Sequence, residues 1–114
     1  MFLRLTRVSG LSAEQMAAVM DGISGEFLPR LAQQPGFMGY SVFGNPDAGT
    51  GGLSSLWETR KDLLRSGKIE KELREAALAA ARLTRTPIVE EYDLFAYDVP
   101  PGAPHHVITS PATR

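Results

Sequence analysis

A chain of 114 residues that is 43% hydrophobic has the length and apolar content of one domain with one core, and its lack of cysteine excludes disulfides, thiolate metal sites and a cysteine nucleophile. Twelve basic residues against 13 acidic ones leave a formal net charge of −1. With no basic block, the electrostatic footprint of a nucleic-acid or polybasic membrane binder is missing. Arg4 and Arg7 interrupt the apolar run from Met1 to Val8, so no signal or membrane segment is expected there, and a soluble cytoplasmic chain is.

Phe2 to Val8 partly alternates apolar and polar residues, is rich in strand formers and predicts a first strand, with Phe2, Arg4 and Thr6 on one face and Leu3, Leu5 and Arg7 on the other. Gly10 ends it. Ser12 and Gln15 have the spacing of a capping box, and Met16, Val19, Met20, Ile23, Phe27 and Leu31 then form the apolar stripe of a helix. Gly22, Gly25 and Pro29 weaken that helix, so a kink or break is expected near Leu28.

Pro35-Gly36 stops the helix and redirects the chain into Phe37-Met38-Gly39-Tyr40-Ser41-Val42-Phe43, which is rich in strand formers. Asn45 to Gly52 is dense in turn formers and predicts an exposed loop, leading into a weak third strand with Gly51, Gly52, Ser54 and Ser55 that ends at Trp57. No Gly-Lys-Ser/Thr follows these glycines, which argues against a phosphate loop. Thr59 is placed to cap a helix with Asp62 as the capping-box acid.

A short helix to Ser66, stopped by Gly67, precedes a longer one over Lys68 to Leu83, buried through Ile69, Leu73, Ala76, Ala77, Ala80 and Leu83. Its charges, with Glu70 and Arg74 as an i,i+4 pair, read as a solvated face. Ile88 to Val99 predicts the last and longest strand. Residues 1–99 form the expected domain, and the Pro-rich stretch 100–114 a tail.

The order β-α-β-β-α-β predicts an α+β, ferredoxin-like unit in which a four-stranded antiparallel sheet carries both helices on one face. The face bearing Leu3 and Leu5 then needs a cover, which a second copy of the chain would supply. Pro35 to Phe43, a turn, then Leu56-Trp57-Glu58-Thr59 and a helix resembles the antibiotic biosynthesis monooxygenase family over most of residues 1–98. That resemblance implies a dimeric α+β barrel, a homodimer acting on or binding a small aromatic ligand. It also implies oxygenation of a flat polycyclic phenol or anthrone with no metal, flavin or other cofactor.

Four residues stand out as candidates for the chemistry. Trp57 is either an indole stacking on a flat ligand or a packed core aromatic, and the resemblance implies a place on a pocket between sheet and helices. Arg4 is a cation on an apolar strand that either serves a site or pairs with Glu90 or Glu91. In haem-degrading relatives the resemblance places an Asn at this position together with a helix His. Arg4 replaces the first, and Thr59 to Leu83 contains no His, so haem degradation by that mechanism is not expected.

Tyr40, with Tyr92 and Tyr97, offers a phenolic donor, and Arg60 a cation for an oxyanion near the Trp57 end of the strand. Both residue types also occur as ordinary structural or solvated groups. No serine has triad partners, and adjacent His105 and His106 without carboxylates read as a polar tail. Val107-Ile108-Thr109 is β-prone and reads as either an arm added to a partner's sheet edge or a disordered end. A non-catalytic ligand-binding or assembly module on the same barrel is the alternative function.

Overall fold

The computed structural model describes residues 1–104. Strands β1 (Phe2–Val8), β2 (Phe37–Asn45), β3 (Thr50–Trp57) and β4 (Ile88–Asp93) form one antiparallel sheet in the order β2-β3-β1-β4. Helix α1 (Ala13–Gly22) follows β1, and α3 (Arg60–Arg65) and α4 (Gly67–Ala80) follow β3. This is the expected α+β, ferredoxin-like βαββαβ arrangement.

Register assigns each side chain to a face. Phe2, Arg4, Thr6 and Val8 are partnered across the ladder by Trp57, Ser55, Leu53 and Gly51, and this set faces the helices. Leu3 and Leu5 stand opposite Leu56 and Ser54 on one side and Tyr92 and Glu90 on the other, on the face without helices. A β-bulge between Phe37 and Gly39, where Gly39 has φ +150°, shifts the register of β2 by one residue. Phe37 and Tyr40 therefore both face the helices and pack against the core, while Met38 is left exposed.

The capping box at Ser12 and Gln15 forms as its spacing requires. Beyond Gly22 the helix passes through a π-helical turn, Ile23–Phe27, before α2 (Leu28–Leu31). The expected break near Leu28 is thus a π-to-α transition: Pro29 sits at the start of α2, where its missing N–H is tolerated. Ile23, Phe27, Leu28 and Leu31 join Leu53, Trp57, Leu63 and Leu73 in the core. Thr59 caps α3 by accepting from the Asp62 N–H at 3.1 Å.

Four sequence expectations are corrected. The loop is confined to residues 46–49, because Thr50, Gly51 and Gly52 already pair with Asn45, Gly44 and Phe43. The third strand is far from weak: it pairs on both sides, and Leu53 to Trp57 are all buried, with small Ser55 fitting beneath the helices. The last strand is the shortest and ends at Asp93, where its ladder with β1 runs out apart from one bond from the Leu94 N–H to the Met1 carbonyl at 2.9 Å. Finally, α4 spans Gly67–Ala80 with Gly67 inside it, and its buried line is Glu70, Leu73 and Ala77, leaving Ala76 and Ala80 exposed.

Candidate functional site

The inward-facing polar groups gather in two places on the same face of the sheet. The first lies under the start of β1. Arg4, 3% exposed, donates from Nε and Nη2 to Glu91 Oε2 at 3.0 and 2.8 Å, from Nη2 to the Leu63 carbonyl at 2.7 Å, and from Nη1 to Ser66 Oγ at 3.0 Å and to Glu70 Oε2. That accounts for all five guanidinium N–H groups. Glu70 accepts in turn from Ser55 Oγ at 3.0 Å, and Ser55 Oγ accepts from the Trp57 indole N–H at 2.9 Å.

Every member of this chain is satisfied internally, as a charge buried in a low-dielectric core must be. The ion pair expected between Glu70 and Arg74 does not form. Glu70 turns inward to Arg4 instead, so it belongs to the core and not to the solvated face. Trp57 is fully buried and meets Phe37 edge-on, with ring centroids 5.5 Å apart. Tyr40 stands beside Ser55 in the ladder and is half-buried against the core. Arg60 opens α3 at the exposed surface, and the fold does not bring it to the other three.

The second place is a cavity between the sheet and the helices. Thr6, Val42 and Leu53 line its floor, Met16, Val19 and Met20 of α1 with Ile23 and Phe27 of the π turn cover it, and Arg74 and Ala77 of α4 close one side. The cavity proper holds about 70 Å³, and the whole recess out to its mouth spans about 600 Å³. Trp57, Arg4, Tyr40 and Arg60 are not among its lining residues, so the expected place of Trp57 on the wall of this pocket is corrected. The indole fills the core beside the cavity instead.

Two polar groups stand out on these apolar walls. Thr6 Oγ1 is buried without a hydrogen-bond partner among the described residues. Arg74 is half-buried, and among the described residues no carboxylate lies within 4.0 Å of its guanidinium. Loss of solvent lowers its pKa from the ordinary arginine value, against the raising influence of Glu70. A cation and a hydroxyl at an apolar cavity can hold the oxygen of a ligand and favour its anionic form.

Neither group was singled out from the sequence. In the sequence Thr6 reads as an ordinary strand residue and Arg74 as the i,i+4 partner of Glu70. The available signal was position: Arg74 directly follows buried Leu73 and precedes buried Ala77 by one turn, which puts it at the border of the apolar stripe. His105, His106 and the Val107–Thr109 run lie outside the described residues. Among the described residues, no helix is long and apolar enough to cross a membrane.

No family model and no curated protein matches the sequence. Solved structures do match the fold. A monooxygenase from the gene ActVA-Orf6 of Streptomyces coelicolor, in complex with the ligand nanaomycin D, superposes with a TM-score of 0.70 at 16% identity, covering 87% of this chain and 91% of that one. The NE2512 protein of unknown function from Nitrosomonas europaea gives 0.64 at 21% identity over 89% and 95% of the two chains. An antibiotic biosynthesis monooxygenase gives 0.61 at 16% identity over 84% and 100%. The architecture of this chain is that of the antibiotic biosynthesis monooxygenases, a likeness of fold.

Proposed function

We propose that this chain is a cofactor-independent monooxygenase that takes a flat phenol or anthrone into the cavity between sheet and helices. The observation that carries this reading is the pairing of apolar walls with a half-buried guanidinium and an unpartnered hydroxyl. Arg74 favours the ligand anion, Thr6 Oγ1 donates to its oxygen, and the apolar walls exclude water. The deprotonated substrate then reduces O₂ directly: a ring CH₂ and O₂ become C=O and H₂O, one oxygen atom staying on carbon and the other leaving as water. The structural neighbour in complex with nanaomycin D supports a polycyclic ligand class. Entry of such a ligand requires Met16 and Met20 to swing aside, for which unbranched side chains are suited.

Trp57 and Arg4 act indirectly in this proposal. Through Ser55 and Glu70 they fix α4 on the sheet, and Arg74 lies one turn further along the same helix. The sheet face with Leu3, Leu5, Leu56 and Tyr92, flanked by exposed Phe43 and Ile88, is proposed as the homodimer interface. An obligate interface of about 2,000 Å² or more would be expected there.

Oxygen uptake with anthrones and hydroquinones, metal-free and flavin-free, tests the reading. Turnover that falls at least about a hundredfold in Arg74→Gln supports it, in line with the loss of one oxyanion-stabilising group. Binding without oxygen uptake supports the second reading, a ligand-binding module. The small volume of the cavity proper and the full satisfaction of Arg4 and Trp57 favour that alternative.

A further inference from the structure

A second recess of about 760 Å³ opens beside the apolar cavity and shares Val8, Phe43 and Gly51 with its lining. Gly51 forms a sill between them that carries no side chain. The chemistry of the two linings differs sharply. The cavity is lined by apolar side chains apart from Thr6 and Arg74, whereas the recess adds Arg7, Arg85, Asn45 and the hydroxyls of Ser9 and Thr50.

The two arginines are not equivalent. Arg7 is paired with Glu90 at 2.8 Å, whereas among the described residues no carboxylate lies within 4.0 Å of Arg85. The Arg85 guanidinium packs closely on the backbone at the rim of the recess. It lies across Gly10, in the space that a Cβ there would fill, and Gly10 has φ +75°, a conformation that favours glycine. The turn after β1 is thus a seat for this cation at the rim of the recess.

From this arrangement we infer that the ligand carries an anionic arm, a carboxylate by class, which crosses Gly51 and lies against Arg85 while its ring system occupies the cavity. The inference rests on the proposed cavity function and adds the ligand class: an aromatic acid in preference to a neutral polycycle. Phe43 and Ile88, which also line the recess, border the sheet face assigned to the dimer.

Calorimetric titration of the full chain with (6-hydroxy-2-naphthyl)acetate and with its methyl ester, both of which keep a ring hydroxyl for Arg74 and Thr6, tests this. The acid is expected to bind at least tenfold tighter than the ester, with an advantage that shrinks as salt rises. In Arg85→Gln the acid should fall to the affinity of the ester, and in Arg74→Gln both ligands should weaken by the same factor. Thermal melts of each variant establish that it is folded. Equal affinity for acid and ester in the native chain, an acid preference that survives Arg85→Gln, or one lost in Arg74→Gln alone overturns the anionic arm and leaves the cavity standing. Binding of neither ligand overturns both.

Discussion

Arg4 and Arg74 reach the same sandwich of sheet and helices, yet their surroundings are opposite. Arg4 has all five N–H groups engaged by Glu70, Glu91, Ser66 and the Leu63 carbonyl. Arg74 faces an apolar cavity with no carboxylate within reach among the described residues. The hydroxyls repeat the contrast. Ser55 Oγ links Trp57 to Glu70, while Thr6 Oγ1 has no partner among the described residues. A buried polar group that is fully satisfied supports the fold, and one left unsatisfied beside a cavity is where a ligand gains most by binding.

The largest effect should come from opening the satisfied side. Glu70→Ala leaves Arg4 buried without its one buried anion, for which a loss of about 3–5 kcal/mol is expected, a large fraction of a small domain's stability. Urea unfolding followed by far-UV circular dichroism measures it. Arg74→Gln, by contrast, should change stability by less than about 1 kcal/mol because its side chain is only half-buried and unpaired. Comparable losses in the two variants would erase the distinction between framework and site.

A second, smaller effect separates the indole from the cavity. Trp57→Phe removes the donor to Ser55 Oγ and some buried area, and should cost about 2 kcal/mol. Since Trp57 does not line the cavity, ligand affinity should stay within twofold of the native value. A large loss of affinity in a folded, dimeric Trp57→Phe chain would instead return the indole to the ligand wall.

The sequence displayed the frame more clearly than the site, for a physical reason. Strand alternation in Phe2 to Val8, the Ser12 and Gln15 box and the Thr59 cap are local patterns, decided by neighbours within a few residues. The inward turn of Glu70 is decided by Arg4, 66 positions away, and no helical periodicity reports it. For β3, glycine and serine content suggested a loop and a weak strand. Central placement between β1 and β2 overrides that propensity, because the ladders on both sides and the helix layer over one face supply the stabilisation.

Removing the orphaned hydroxyl should produce a change of opposite sign. Thr6→Val keeps the shape of the side chain and deletes a buried oxygen that has no partner among the described residues. The variant should therefore gain about 1 kcal/mol of stability while binding a phenolic ligand more weakly. Melting temperature and calorimetric affinity, read on one preparation, check both halves. A destabilised Thr6→Val would mean that the hydroxyl already has a partner in solution, and the cavity would lose one of its two anchors.

The smallest effect concerns the same chemistry placed in water. On the open sheet face Arg7 pairs with Glu90 at 2.8 Å, and the Tyr92 hydroxyl donates to Glu90 at 2.6 Å. The hydrogen bond from Tyr92, followed by that from Arg7, lowers the Glu90 pKa, and the bond to Glu90 raises that of Tyr92. A lowered carboxylate pKa contributes stability above its unfolded value of 4.5, and that contribution is lost as pH falls through the folded value. A raised phenol pKa contributes below its unfolded value of 10.0 and is lost as pH rises through the folded one. Both side chains are open to solvent in the single chain, so screening should keep the change slight and salt should remove it. While this face is uncovered, urea midpoints between pH 3 and 5, native against Tyr92→Phe, should show a slightly shallower fall in the variant at low salt and none of that difference at high salt. A steep, salt-insensitive fall in the native chain would mean that this cluster is covered, as it would be beneath the partner sheet of the proposed dimer, and would move it to the buried side of the comparison.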